Sequence, residues 1–366
     1  MGHPPPEVSA FSMGHLSSNQ ATILVTGTTG MIGAEAMATL LDGGWHVQAL
    51  VRATTPEEAA QRLRDRLYEA DRADLIPHLG GPRLTALPGD VTQEQLGLSM
   101  ADLHGVSAIV HCAAETSFKP EAPTQRVNVG GTQNVIDAAH AMTPSPRVIH
   151  ISTAYVQMGP FHAEIAEDEP SETRYDNHYV RSKREAERRV RESDLDAIAL
   201  RPSIVLNRTH KDRRMRRSIL WVIPAMAQLG EVPVEPDARL DIVPAHYLAE
   251  VIEILLRRTR VGHRCYHVTA GPQASRTIAG ICEAAAPVLP AAGQIRFLGS
   301  QLAAPSENGD RHVQRLMGQL APYLPFIGAD IVYSRERLRH ELGEEMPACP
   351  PFTEYLPDIL SEASFA

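Results

Sequence analysis

The stretch "TILVTGTTGMIGAEAMATLL", Thr22 to Leu41, joins a β-rich apolar run to a helical pattern through three glycines, Gly27, Gly30 and Gly33. Glycine permits the tight turn, removes the Cβ that would obstruct a pyrophosphate, and lets the helix pack closely on the strand. The helix that follows offers free N–H groups and a favourable dipole to phosphates. The spacing G-x-x-G-x-x-G is one residue wider at its first gap than the commonest dinucleotide fingerprint, so a purely structural strand-to-helix turn is the alternative reading.

Outward from this turn the chain alternates short β-rich runs with helical patterns, the signature of a parallel sheet built from βαβ units. The runs "TILVT", "HVQALV", "RLTAL", "AIVHC", "RVIHIS", "AIALR" and "CYHVT" predict an α/β fold with a Rossmann-type doubly wound parallel sheet of about seven strands. Gly43 and Gly44 stop the first helix. The rhythm breaks after Arg201, over the segment from Leu206 to about Leu240, and again from Gly271 onward. The expected division is a flexible lead over 1–20, a Rossmann domain over 21–205 and 241–270, and a small, discontinuous, mostly helical cap over 206–240 and 271–366. Ligands of open α/β sheets bind beyond the carboxyl ends of the strands, so the cap is expected to form the substrate pocket.

At 366 residues, with 43% hydrophobic and 22% charged residues, the composition is that of a globular protein. The net charge of -9 argues against nucleic acid as a general partner. Cys112, Cys265, Cys282 and Cys349 lie far apart with no histidine at ligand spacing, so neither a metal site nor a disulfide framework is expected, and the reducing cytoplasm is the expected compartment. No apolar run approaches the roughly 20 residues needed to cross a bilayer, so no stable membrane insertion is expected. The lead over 1–20 lacks the charged and apolar regions of a signal peptide.

"TGTTGMIG" resembles the T-G-x-T-G-x-x-G turn of the extended short-chain dehydrogenases/reductases. The resemblance implies cofactor contacts at Gly27, Thr29, Gly30, Met31, Ile32 and Gly33. The second strand ends in "LVRA", with Arg52 where an enzyme selective for the unphosphorylated cofactor usually carries an acid. A guanidinium suits a ribose 2′-phosphate, which points to NADPH, an ordinary surface arginine being the alternative; Arg62 is a second candidate. "GDV" resembles the family's adenine-contacting turn, with Asp90 and Val91. "HCAAE" brings Ala113 and Ala114, small enough to admit the cofactor backbone. Asn128 in "VNVGGTQNV" matches the family's helix asparagine, and Pro202 and Ser203 in "LRPSIV" complete the implied contacts.

In "YVRSK", Tyr179 and Lys183 stand four residues apart at the start of a helical run, hence on one face. A free tyrosine has a pKa of about 10, and a neighbouring ammonium favours its phenolate. The alternative is a solvated helix face. The family pattern draws a third member from "HISTAYV": Thr153, with Ser152 as the fallback. Its hydroxyl would hold the substrate oxygen beside the tyrosine. Tyr179 and Lys183 would also touch the cofactor. His111, His150 and His178 receive no role.

"LVRATTPEEAAQRLRDRL", "LPGDVTQEQLGLS", "LRPSIV" and "CPPFTEYLPDIL" resemble segments of carboxylic acid reductases, nonribosomal peptide thioester reductase domains and fatty acyl-CoA reductases. This branch implies NADPH-dependent reduction of an acyl thioester to an aldehyde, and by a second hydride to the alcohol. The alternatives on the same fold are a carbonyl reductase for ketones or aldehydes and a sugar-nucleotide epimerase or dehydratase; a non-catalytic cofactor-sensing regulator is the rival of another class. With no adenylation or carrier domain in the chain, the thioester is expected on a separate acidic carrier protein or as a CoA ester. The basic run Arg208 to Arg217 reads either as a docking patch for such a carrier or for the phosphates of coenzyme A or phosphopantetheine, or as a mobile solvated loop.

Overall fold

The computed structural model describes residues 21–116, 121–158, 163–167, 177–207, 219–299 and 311–362. The expected lead over 1–20 and the basic run Arg208 to Arg217 lie outside the described residues.

All seven β-rich runs form strands: β1 (Thr22–Thr26), β2 (His46–Val51), β3 (Leu84–Pro88), β4 (Val106–His111), β5 (Arg147–Ile151), β6 (Ala197–Pro202) and β7 (Cys265–Val268). They make one sheet in the order β7-β6-β5-β4-β1-β2-β3, with every pairing parallel. The order reverses between β1 and β4, and that switch point is where a doubly wound sheet opens a crevice for ligand.

The helices that cover the sheet include α1 (Met31–Asp42), α2 (Pro56–Glu69), α3 (Gly131–Ala141), α4 (His178–Glu192) and α5 (Ala245–Arg257). Side chains alternate along β1, so Ile23 and Val25 pack with Met37, Leu63 and Ile252 of α1, α2 and α5, while Leu24 packs with Val135 and Ile136 of α3 and Val190 of α4. Helix starts are written locally. Thr55 accepts from the Glu58 amide ahead of Pro56, and Asn177 accepts from the Val180 amide at 2.7 Å. The second cap fixes the register of α4 and so the heading of Tyr179.

A separate apolar cluster joins Leu206, Val222, Ile223 and Met226 to Ile278, Ile281, Leu320, Leu356 and Ile359. The C-terminal region does not belong wholly to it, which differs from the expected cap over 271–366. Leu338 and Leu342 pack into the cluster of α1 and α5. Ile331–Tyr333 pairs in parallel with Ala163–Ile165. The tail is drawn back because Phe326 and Tyr333 bury edge-on against Tyr155, at ring separations of 5.0 and 6.0 Å.

Candidate active site

The carboxyl ends of the strands bring the expected cofactor residues together. A cleft of about 340 Å³ is lined by Gly27, Thr29, Gly30, Arg52, Arg62, Asp90, Val91, Ala113 and Ala114, joined by Leu50, Gly89, Cys112 and Val127. Two of the glycines are required by close approach. Gly27 holds a φ of +71°, and a Cβ there would lie 2.6 Å from the Ala113 nitrogen; a Cβ on Gly33 would lie 2.3 Å from the Gly27 carbonyl oxygen. Gly30 begins α1 without a side-chain cap, and the first turn holds no acid, so the amides there are left for an anion. The turn and the free amides together fit the pyrophosphate of a dinucleotide.

Other expected contacts fall outside that lining. Met31 packs partly against the cap cluster and Ile32 against the sheet cluster. Pro202 and Ser203 are buried at the end of β6. One Asp90 carboxylate oxygen accepts from both the amide and the hydroxyl of Thr92 at 2.9 Å, which closes the turn that places Val91. Asn128 sits in a π-helical turn, Gln125–Gly130, ahead of α3. Its amide accepts from the Glu115 amide at 2.7 Å and donates to the Glu115 carbonyl at 3.0 Å and to the Ser182 hydroxyl at 2.8 Å. Asn128 thereby ties the end of β4 to α4.

Thr153, Tyr179 and Lys183 converge. The Thr153 hydroxyl hydrogen-bonds Tyr179, and the Lys183 ammonium donates to the Ile151 carbonyl at 2.6 Å. Ser152, the fallback, is turned away: its hydroxyl donates to Glu187 at 2.6 Å. Burial pushes Tyr179 up to about 12, opposed by the Thr153 bond, and burial pulls Lys183 down to about 8, opposed by the charge of Glu187. Burial and the Thr153 bond, and not the expected neighbouring ammonium, are what move the tyrosine in the protein alone. Both groups are desolvated, and the ammonium is engaged by a carbonyl.

His111 and His150 are buried side by side in the sheet, ring centres 5.4 Å apart. His111 bonds Thr26 at 2.8 Å and Thr132 at 3.1 Å, and burial pulls it down to about 3. His178 opens α4, 3.8 Å from Glu121. The residues that sequence reasoning missed are Ser182, Glu187 and Arg201. A charged residue in the apolar strand "AIALR", and an acid one helical turn past Lys183, were the available signals. Among the described residues no cluster of His, Cys, Asp and Glu could hold a metal ion, and no helix is long and apolar enough to cross a membrane.

Residues 25–252 match the NAD-binding family described as "Male sterility protein". The chain belongs to this family. Its fold is that of the extended short-chain dehydrogenases/reductases, which bind a nicotinamide cofactor. It is similar to "Probable fatty acyl-CoA reductase 5" of Arabidopsis thaliana, 31% identical over 153 residues, which are 37% of this chain and 31% of that relative. Among solved structures it resembles the terminal R domain from the myxalamid PKS-NRPS biosynthetic pathway, with a TM-score of 0.74 and 25% identity over 95% of this chain and 91% of that one. A thiolation-reductase di-domain from an archaeal non-ribosomal peptide synthetase shares the fold, with a TM-score of 0.71 and 18% identity over 94% of this chain and 75% of that one. The chain spans a third or less of the length of the curated relatives it matches first.

Proposed function

We propose that the protein is an NADPH-dependent reductase of acyl thioesters, carried by an acidic carrier protein or as CoA esters, giving the aldehyde and, by a second reduction, the alcohol. The observation that carries this reading is the convergence of Thr153, Tyr179 and Lys183 beside a cleft that holds both Arg52 and Arg62. Support for a thioester comes from the names of the similar proteins, a probable fatty acyl-CoA reductase and a terminal R domain from a PKS-NRPS biosynthetic pathway.

When bound, NADPH supplies a hydride for the carbonyl carbon. The amides at the start of α1 would hold its pyrophosphate, and Arg52 and Arg62 the ribose 2′-phosphate. Tyr179 gives its hydroxyl proton to the substrate oxygen, and Thr153 donates a hydrogen bond to that oxygen as charge develops. Lys183, as an ammonium, stabilises the phenolate that Tyr179 leaves. The hemithioacetal so formed expels the thiol and leaves the aldehyde.

The test is NADPH oxidation with acyl-CoA and carrier-bound acyl thioesters, run beside ketones, aldehydes and UDP-sugars, with products identified by mass spectrometry. Turnover of thioesters to aldehyde or alcohol is expected. Turnover of ketones or sugars alone would sink the thioester reading, and cofactor binding without any turnover would favour a sensor.

A further inference from the structure

Behind Tyr179 and Lys183 lies an ionic centre that the proposed reaction does not use. Glu187 and Arg201 are both fully buried. Arg201 Nη2 meets Glu187 Oε1 at 2.5 Å, and Arg201 Nε reaches the two carboxylate oxygens at 3.1 and 3.0 Å. Glu187 Oε2 also accepts the Ser152 hydroxyl at 2.6 Å, and Arg201 Nη1 donates to Gln157 at 2.8 Å. Burying two charges costs several kcal/mol that their attraction repays only in part, so stability alone is a weak reason for such a pair.

Its placement gives a better one. Ser152 sits between Ile151, whose carbonyl receives the Lys183 ammonium, and Thr153. Gln157 ends the helical turn that begins just after Thr153. Glu187 follows Lys183 by one turn on the same face of α4. One carboxylate thus ties the strand end that carries Thr153 to the helix that carries Tyr179 and Lys183.

We propose that Glu187 is the positioning residue of this site: clamped by Arg201 and Ser152, its carboxylate is the buried counter-charge that keeps Lys183 an ammonium and holds α4 against the end of β5. This role rests on Lys183 being part of the catalytic machinery. The charged and titratable groups around the pair come from every neighbouring element. Arg201 of β6 and Arg191 of α4, the latter at 3.6 Å, face Glu187, and Cys265 of β7 feels its charge. His111 and His150 of β4 and β5, and Cys112, face Lys183. Burial keeps both histidines neutral and pushes the Cys112 thiol up to about 12, so among these groups the negative charge acting on Lys183 near neutrality is that of Glu187.

Lys119, Lys183 and Lys211 are the lysines of the sequence, so a K119R/K211R background leaves Lys183 as the sole lysine. Its side-chain ¹³Cε resonance can then be titrated in the free protein. Glu187→Gln is expected to move the midpoint to lower pH by about one unit, and Glu187→Asp to return it toward the parent. The alkaline limb of the pH–rate profile should move with it, a shift that a purely structural role would not produce. If Glu187→Gln leaves Arg201 so poorly matched that the chain does not fold, E187Q/R201Q removes both buried charges; because the Arg201 cation that opposes the Lys183 ammonium is lost as well, a downward shift smaller than that of Glu187→Gln is expected. An unchanged midpoint in a folded variant, judged by thermal melting, overturns the proposal. Because the titration needs no substrate, that result would leave the thioester reading standing, and inactivity on thioesters would leave the role of Glu187 standing.

Discussion

Ser152 and Thr153, adjacent at the end of β5, send their hydroxyls to different partners: Ser152 donates to Glu187 at 2.6 Å, and Thr153 hydrogen-bonds Tyr179. Successive side chains of an extended strand point to opposite faces, so only one of the two can reach the reacting oxygen. Thr153→Val should lower kcat by about 100-fold, while Thr153→Ser keeps the donor and most of the rate. Ser152→Ala should instead lower stability by about 1.5–3 kcal/mol through the lost bond to a charged group. Steady-state kinetics beside urea unfolding separates the two.

Tyr179→Phe keeps the ring and removes the proton that the substrate oxygen needs. The expected loss in kcat is about 100- to 10,000-fold, with NADPH affinity within a few-fold of the parent. Fluorescence titration of the cofactor checks the second half. Unchanged NADPH oxidation would remove Tyr179 from catalysis.

Arg52 and Arg62 line the same cleft, and Arg62 also stands 3.7 Å from Glu58 across an exposed turn of α2. A phosphate contacted by a guanidinium contributes about 1.5–3 kcal/mol. Arg52→Ala should therefore weaken NADPH by about 10- to 100-fold and leave NADH nearly unaffected. Arg62→Ala should act in the same direction and less strongly, because Glu58 already holds part of its charge. Calorimetric titration with both cofactors decides it; equal losses for NADH and NADPH would rule out a 2′-phosphate contact.

Gly33→Ala would press a methyl group to 2.3 Å from the Gly27 carbonyl oxygen, and that neighbour is backbone, not a side chain that can swing aside. The expected cost is more than about 2 kcal/mol of stability, with loss of cofactor binding. Thermal melting with and without NADPH reads both.

His111, His150 and His267 are buried and neutral, with His111 and His267 pulled down to about 3 and His150 well below its ordinary value, in each case chiefly by burial. An unfolded histidine takes up its proton near pH 6.5, so below that pH the unfolded chain binds protons that the folded chain refuses. Stability is complete above about pH 6.5 and falls as the pH drops, by about 1.4 kcal/mol per pH unit for each histidine. His150→Leu, which replaces an imidazole with neither nitrogen hydrogen-bonded, should flatten that slope. Urea unfolding between pH 7.5 and 5 measures it.

Much of this was legible along the chain because it is written in local pattern. The seven β-rich runs became the seven strands of the sheet, since parallel strands covered on both faces are mostly apolar. Gly27, Gly30 and Gly33 mark the turn because no side chain fits there, and Tyr179 and Lys183 share a face because they are four apart on one helix. The C-terminal region was read less well. Leu338 and Leu342 return to the sheet and Phe326 and Tyr333 close on Tyr155, contacts between residues far apart in sequence that no local period announces.

The sequence by itself determined the doubly wound sheet, the nucleotide turn and the residue types gathered at the strand ends, because strand and helix periods and the sterics of glycine act within a few residues. Only the tertiary structure decided that Thr153 and not Ser152 meets Tyr179, that Arg52 and Arg62 share one cleft, and that Glu187 and Arg201 are buried together behind Lys183. Those outcomes depend on which side chains lose their water and which charge remains nearby, and burial is a property of the packed whole.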